Sequence, residues 1–163
     1  MPYRIQQFMW NIAAKRDEND YKWAMSYLNE KERCLFDKLS IGEQNHCIRV
    51  ARLMDKETRG MNENNIYIKL GLLHDVGKSK YKLNVFKKVC MLFIHKLSNG
   101  KAKKYGHIKM IKGYYTHGET GRAMLEEIDK YTIEFLEAVQ YHHYLECCNN
   151  ELVKRLRILD DIS

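Results

Sequence analysis

Proline is almost absent from this chain: Pro2 is the only one among 163 residues, and glycine is limited to nine. So few breakers exclude a many-turned β architecture and favour long helices. No apolar run approaches the roughly 20 residues of a membrane span, and no secretory signal precedes the rest of the chain. The five cysteines are odd in number and contain no C-x-x-C pair. That argues against a disulfide framework and for a reduced, cytoplasmic setting. Cys34, Cys47 and Cys90 fall within helical apolar patterns, where a free thiol acts as a small hydrophobe.

Acid is also absent, from one stretch only. Residues 78–112 hold eleven lysines and no Asp or Glu, while the whole chain carries a formal charge of +7. The excess is therefore local. These lysines read first as the solvated side of an amphipathic helix followed by a loop. They could instead form a positive mouth for anionic substrates, or contact nucleic acid or an anionic membrane surface. The segment has no RNA-binding signature of its own.

What is present is an ordinary globular mixture, 45% apolar and 30% charged, in a length that suits one domain with one core. Helical periodicity runs through IQQFMWNIAAK, DYKWAMSYLN and NEKERCLFDKL, where Cys34, Leu35 and Leu39 share a stripe. Ser40 and Glu43 form an S-x-x-E capping box for a helix that Gly60 stops. Asn64 or Asn65 is the expected N-cap of the next segment, IYIKLGLLHDVG, read as a short buried helix ending at Gly77. A buried strand competes there, because Ile66, Tyr67 and Ile68 favour strands.

Further on, LNVFKKVCMLFIHKL carries Phe86, Val89, Cys90, Phe93, Ile94 and Leu97 on one helical face. SNGKAKKYG reads as a flexible basic loop. GETGRAMLEEID starts a helix. YTIEFLEAVQYHH is another, with Ile133, Leu136, Ala138 and Val139 inward. ELVKRLRILDDIS closes the chain on a stripe of Leu152, Val153, Leu156 and Leu159. The expected class is all-α.

Seven histidines are present, and several interrupt or border apolar segments. His46 starts one helix, His74-Asp75 end another, His117 precedes a third, His142 ends a fourth, and Asp160 lies beside the last stripe. Imidazoles and carboxylates brought inward from several helices make a site for a divalent transition metal. Singly, each is more simply a hydrogen-bonded core or surface residue. A helix-cap explanation covers Asp75 and Gly77 but leaves the other polar residues unexplained. His95 and His107 lie in the lysine-rich segment and read as ordinary polar residues.

In that order, His46, then His74-Asp75 with Gly77-Lys78, then Asp160, resemble the HD superfamily of metal-dependent phosphohydrolases, whose pattern is H…HD…D with HD-x-G-K as its commonest local form. LSIGEQNHCIRVARLM resembles the family's first-histidine helix, THGETGRAML its H-P-E-x-G segment, VQYHHYLE its later histidine segment and LRILDDIS its final aspartate helix. Gly118 departs from the family's proline, which loosens a turn but removes no ligand. The resemblance runs from about residue 28 to 163, with residues 1–27 as a helical extension of a single HD domain.

The resemblance implies an HD-domain helical bundle with the metal site in its centre. His46, His74, Asp75 and Asp160 would hold one ion. His117 and His142 fit members with two, Asp75 bridging, and His143 could replace His142 or orient substrate. The ion or ions would be Mn, Fe, Mg, Co, Ni or Zn. Catalysis would fall to Asp75 and Lys78 through a metal-activated water, with Arg49 a further candidate phosphate contact. The substrate would be a phosphorylated small molecule, in particular a nucleotide. An inactive regulatory HD module and an RNA or DNA phosphodiesterase using the basic segment are the alternatives.

Overall fold

The computed structural model describes residues 15–81, 91, 94, 97, 98, 101–143 and 150–163. Within them lie seven α-helices, two 3-10 turns and no strand. The helices are α1 (Glu18–Ser26), α2 (Glu30–Phe36), α3 (Ile41–Thr58), α4 (Asn64–Leu73), α5 (Lys109–Glu126), α6 (Ile133–Tyr141) and α7 (Glu151–Ile162). The 3-10 turns are Val76–Lys80 and Lys101–Tyr105. The all-α expectation therefore holds. Most of LNVFKKVCMLFIHKL, the segment IQQFMWNIAA, and the residues following His143 as far as Asn149 lie outside the described residues.

Local chemistry explains most boundaries. Asp17 caps α1 by accepting from the backbone N–H of Asn19 and Asp20. Asn29 with Glu32, and Ser40 with Glu43, form reciprocal capping boxes at α2 and α3. Gly60, at φ 92°, takes the left-handed conformation just beyond α3. Thr132 caps α6, and Asn150 caps α7 while donating to the Glu134 carbonyl of α6 at 2.8 Å.

The core sits between α3, α4, α6 and α7, around Met54, Leu70, Leu72, Leu73, Val139, Leu156 and Leu159, all at most 1% exposed. Gly71 lets α4 lie directly on α3: a Cβ there would stand 2.7 Å from Ala51 Cα. A second buried device fastens α2. Glu32 is fully buried, accepts from Tyr131 Oη at 2.6 Å and pairs with Lys69 Nζ at 3.0 Å. One carboxylate thus links α2, α4 and the turn before α6, and its burial is offset by partners on three sides.

Several expectations need correction. The α4 helix ends at Leu73, not Gly77, and the chain tightens into the 3-10 turn instead. Neither asparagine caps it: Glu63 stands at the cap position, and Asn64 bonds the side chains of Thr58 and Asp55. Gly77 has no positive φ; it is small because a Cβ would strike the His117 carbonyl. Gly118 is not in a turn but midway along α5, where a Cβ would strike the Gln140 carbonyl of α6.

Helix α5 begins nine residues before Gly118, and part of the supposed basic loop is the Lys101–Tyr105 turn. Ile133 is 67% exposed in the first turn of α6, Leu97 is 85% exposed, and Cys34 is also exposed. Cys34 lies within α2 and Ile133 opens α6, so both sit in helices but on their outer faces. No described helix is long and apolar enough to cross a membrane.

Candidate metal centre

Four helix ends and one helix middle converge on Asp75. Asp75 follows the last turn of α4, is 1% exposed, and opens the 3-10 turn that redirects the chain. His74, fully buried, is the last cap of α4. His46 comes from the second turn of α3, His117 from the middle of α5, His142 from the end of α6 and Asp160 from the last turn of α7. The 3-10 turn can approach α5 this closely because Gly77 lacks a side chain and meets Gly121 as well as His117.

The two carboxylate oxygens of Asp75 face different neighbours. Oδ1 lies 3.6 Å from His117 Nε2 and 3.7 Å from His142 Nε2. Oδ2 lies 3.5 Å from His74 Nε2 and 3.9 Å from His46 Nε2, and is ion-paired with Lys78 Nζ. Asp160 Oδ1 is 2.8 Å from His46 Nε2 and 3.5 Å from His74 Nε2, and its Oδ2 is 3.8 Å from His143 Nδ1. The rings of His46, His74, His142, His117 and His143 pack edge-on or tilted in one chain, with centroids 4.0–5.5 Å apart.

Apart from the His46–Asp160 hydrogen bond and the Lys78–Asp75 pair, these distances suit a cation better than direct hydrogen bonds. His74 Nε2, Asp75 Oδ1, His117 Nε2 and His142 Nε2 are all buried without a hydrogen-bond partner. Unsatisfied buried polar atoms are rare, and four pointing at one another need a reason. Their ring orientation supplies it. Nδ1 of His74, His117 and His142 bonds the carbonyl three residues earlier, at 2.9, 2.9 and 2.8 Å. Each Nδ1 is thus the protonated nitrogen, and each Nε2 turns a lone pair inward. Three overlapping groups could hold an ion: Asp75 with His117, His142 and His143; His46, His74 and Asp75; and His74, His142 and Asp160. Within each, the ligand atoms lie within 4.8 Å of one another. A mixed His/Asp donor set of this kind fits a divalent transition metal.

A family model, HD domain, matches residues 44–163. The chain belongs to the HD domain family. HD domains generally bind divalent metals and are typically metal-dependent phosphohydrolases. No curated protein and no solved structure matches the chain.

Part of this HD domain's cluster is held in the charge state that binds metal. Burial opposes ionisation of Asp75, but Lys78 and His74 outweigh it and hold the carboxyl well below its ordinary range. Burial likewise opposes ionisation of Asp160, but the hydrogen bond with His46 and the nearby His74 hold its carboxyl well below its ordinary range. His117 is pushed down to about 3 by burial, with Lys78 and His142 adding to the effect. Burial also lowers His46. His74 goes the other way: burial pulls it down, yet Asp75 and Asp160 raise it overall. His46 and His117 are therefore held neutral beside ionised carboxylates, the state in which both bind metal.

Of the residues singled out from sequence, His46, His74, Asp75, His117, His142 and Asp160 come together, with His143 on the rim at 46% side-chain exposure. His117 does not precede a helix, as its surroundings suggested, but sits within α5. Lys78 lies beside Asp75 with 31% of its side chain exposed. Arg49 stands apart: it lines a groove of about 620 Å³ with Arg52, Lys56 and Ser163, which none of the metal-facing residues lines. His107 is exposed, edge-on to Tyr105, and is not among the clustered residues. His95 falls outside the described residues. One neighbour of the cluster carried no signal in the sequence: Ser163, whose Oγ lies 3.0 Å from His46 Nδ1.

Proposed function

We propose that this HD domain hydrolyses a phosphate ester of a small molecule, a nucleotide in particular, and that it uses two divalent ions. His46, His74, Asp75 and Asp160 would hold the first ion, and Asp75, His117 and His142 the second, with Asp75 shared. The observation that carries the binuclear reading is the division of Asp75: its Oδ1 faces His117 and His142, and its Oδ2 faces His46 and His74. The nucleotide preference rests on the family likeness.

When bound, such ions supply a water that loses its proton near neutral pH and positive charge against the phosphoryl oxygens. The chain's own residues do the rest. Asp75 and Asp160, kept ionised, offset the charge of the ions. Lys78 combines a buried partner with an exposed flank, so its ammonium can meet a phosphoryl oxygen arriving from solvent. Burial opposes its charge, but Asp75 and Asp160 raise its pKa, so it stays protonated at any working pH. His143, on the rim beside His117 and His142, is placed to orient the ester. Arg49 would act only on a substrate long enough to reach its groove.

The exposed lysines 101, 103, 104, 109 and 112 would raise the local concentration of anionic substrate around the domain. A nucleic-acid partner through residues 78–112 is a further reading of the same charge.

The test is a substrate panel with Mn²⁺, Mg²⁺, Co²⁺ and Ni²⁺, spanning nucleoside mono- and triphosphates, cyclic nucleotides, dinucleoside polyphosphates, guanosine alarmones and short RNA. Metal-dependent turnover of a nucleotide, with short RNA untouched, is the expected result. Metal uptake without turnover of any member would leave a binding module instead. Preferential cleavage of RNA would favour the nucleic-acid reading.

A further inference from the structure

Two glycines, Gly77 and Gly121, let the 3-10 turn and α5 come together. Their smallness permits the approach but does not set how α5 is rotated. Rotation matters, because His117 sits midway along α5, and a slip of one residue turns a helix by about 100°. Tyr81 supplies the direction. It closes the 3-10 turn, donating its N–H to the Lys78 carbonyl at 3.1 Å, and is 8% exposed.

Its ring fills the hollow left by Gly113, where a Cβ would stand 2.6 Å from Tyr81 Cγ. Its Oη lies 2.9 Å from Thr116 Oγ1 and 3.0 Å from Thr120 Oγ1. Gly113, Thr116 and Thr120 fall at i, i+3 and i+7 on one face of α5, with His117 at i+4 on its edge. Tyr81 therefore grips α5 a turn before His117 and again a turn after it.

One proton on each hydroxyl is enough for the whole grip. With Thr116 donating to the Lys112 carbonyl at 2.8 Å, Tyr81 can donate to Thr116 and Thr120 to Tyr81. None of these bonds uses a metal-facing atom.

We infer that Tyr81 is a positioning residue for the second ion. Its ring and hydroxyl fix the rotation of α5 against the turn that follows Asp75, so that His117 Nε2 faces Asp75 Oδ1, 3.6 Å away. His46, His74 and Asp160 stand on other helices. The effect should therefore fall on one ion and spare the other. This inference rests on the two-ion reading proposed above.

The experiment follows Mn²⁺ binding by titration calorimetry. The binding event that disappears in His117→Ala marks the second ion. Tyr81→Phe keeps the ring and removes the hydroxyl, and should weaken that event by about 10-fold while leaving the other unchanged. Thr120→Val should weaken the same event by less, and Thr120→Ser, which keeps the hydroxyl, should match the unaltered chain. Thermal melting of the metal-free chains should differ little.

A His117-dependent event that Tyr81→Phe leaves unmoved would overturn this inference alone. So would a Tyr81→Phe chain in which both events weaken together with a lower melting temperature, since that is general loosening. A Thr120→Ser chain as weak as Thr120→Val would overturn it as well. An unaltered chain with one event or none would overturn the two-ion reading, and this inference with it.

Discussion

The two sides of Asp75 are built differently. On the Oδ2 side, His46, His74 and Asp160 come from α3, α4 and α7, with Lys78 paired to the same oxygen. On the Oδ1 side, His117 and His142 come from α5 and α6, with His143 at the rim 3.8 Å from Asp160 Oδ2. The first side is richer in negative charge and stands on the tightly packed α3–α4 pair. The second is richer in imidazole, and leans on the approach of α5 to the 3-10 turn and to α6. The difference suggests a strong site and a weaker one sharing a carboxylate.

Removing the shared group should erase the contrast. Asp75→Ala should lose metal on both sides, and turnover should fall well beyond the roughly 100-fold loss that outer-shell changes can cause. Elemental analysis and phosphate release measure both, and activity surviving in that variant would defeat the mechanism.

A smaller effect should come from the backbone that brings the second side into place. Gly77→Ala puts a methyl against the His117 carbonyl. The turn must then move from α5, at a cost of about 1–3 kcal/mol. Chemical denaturation should show that loss, and metal should be lost first from the His117 side.

The contrast also has a pH signature in the metal-free protein. His74, raised by Asp75 and Asp160 against its burial, should titrate above its ordinary 6.5. His117 should stay neutral until about pH 3. His117 therefore contributes stability that is present above the unfolded value of 6.5 and lost as pH falls towards about 3. His74 has the opposite sign: its contribution is present below 6.5 and lost as pH rises through its folded value. Ring-proton NMR across that range checks the order, and a His117 that titrates near 6.5 would show that the second side is open to water.

How much of this was legible beforehand differs along the same line. His46, His74, Asp75 and Asp160 could be read because each interrupts or borders an apolar helical stripe, and desolvating such residues requires a partner. The second side was harder to place. His117 lies among Gly113, Thr116 and Gly118, whose low helix propensity reads as a loop. Close packing overrides that propensity: glycine is needed where α5 meets Tyr81 at Gly113 and the Gln140 carbonyl at Gly118. Gly77 misled in the same way, since its smallness serves contact, not a turn. Ser163 had no periodicity to betray it; only the folded chain brings it to His46.

The sharing of Asp75 between two ions is tested most directly by metal stoichiometry after reconstitution, in the unaltered chain and in His142→Ala. Two equivalents per chain, falling to one in the variant, is the expected result. One equivalent or none in the unaltered chain, or the same number in both, would contradict it.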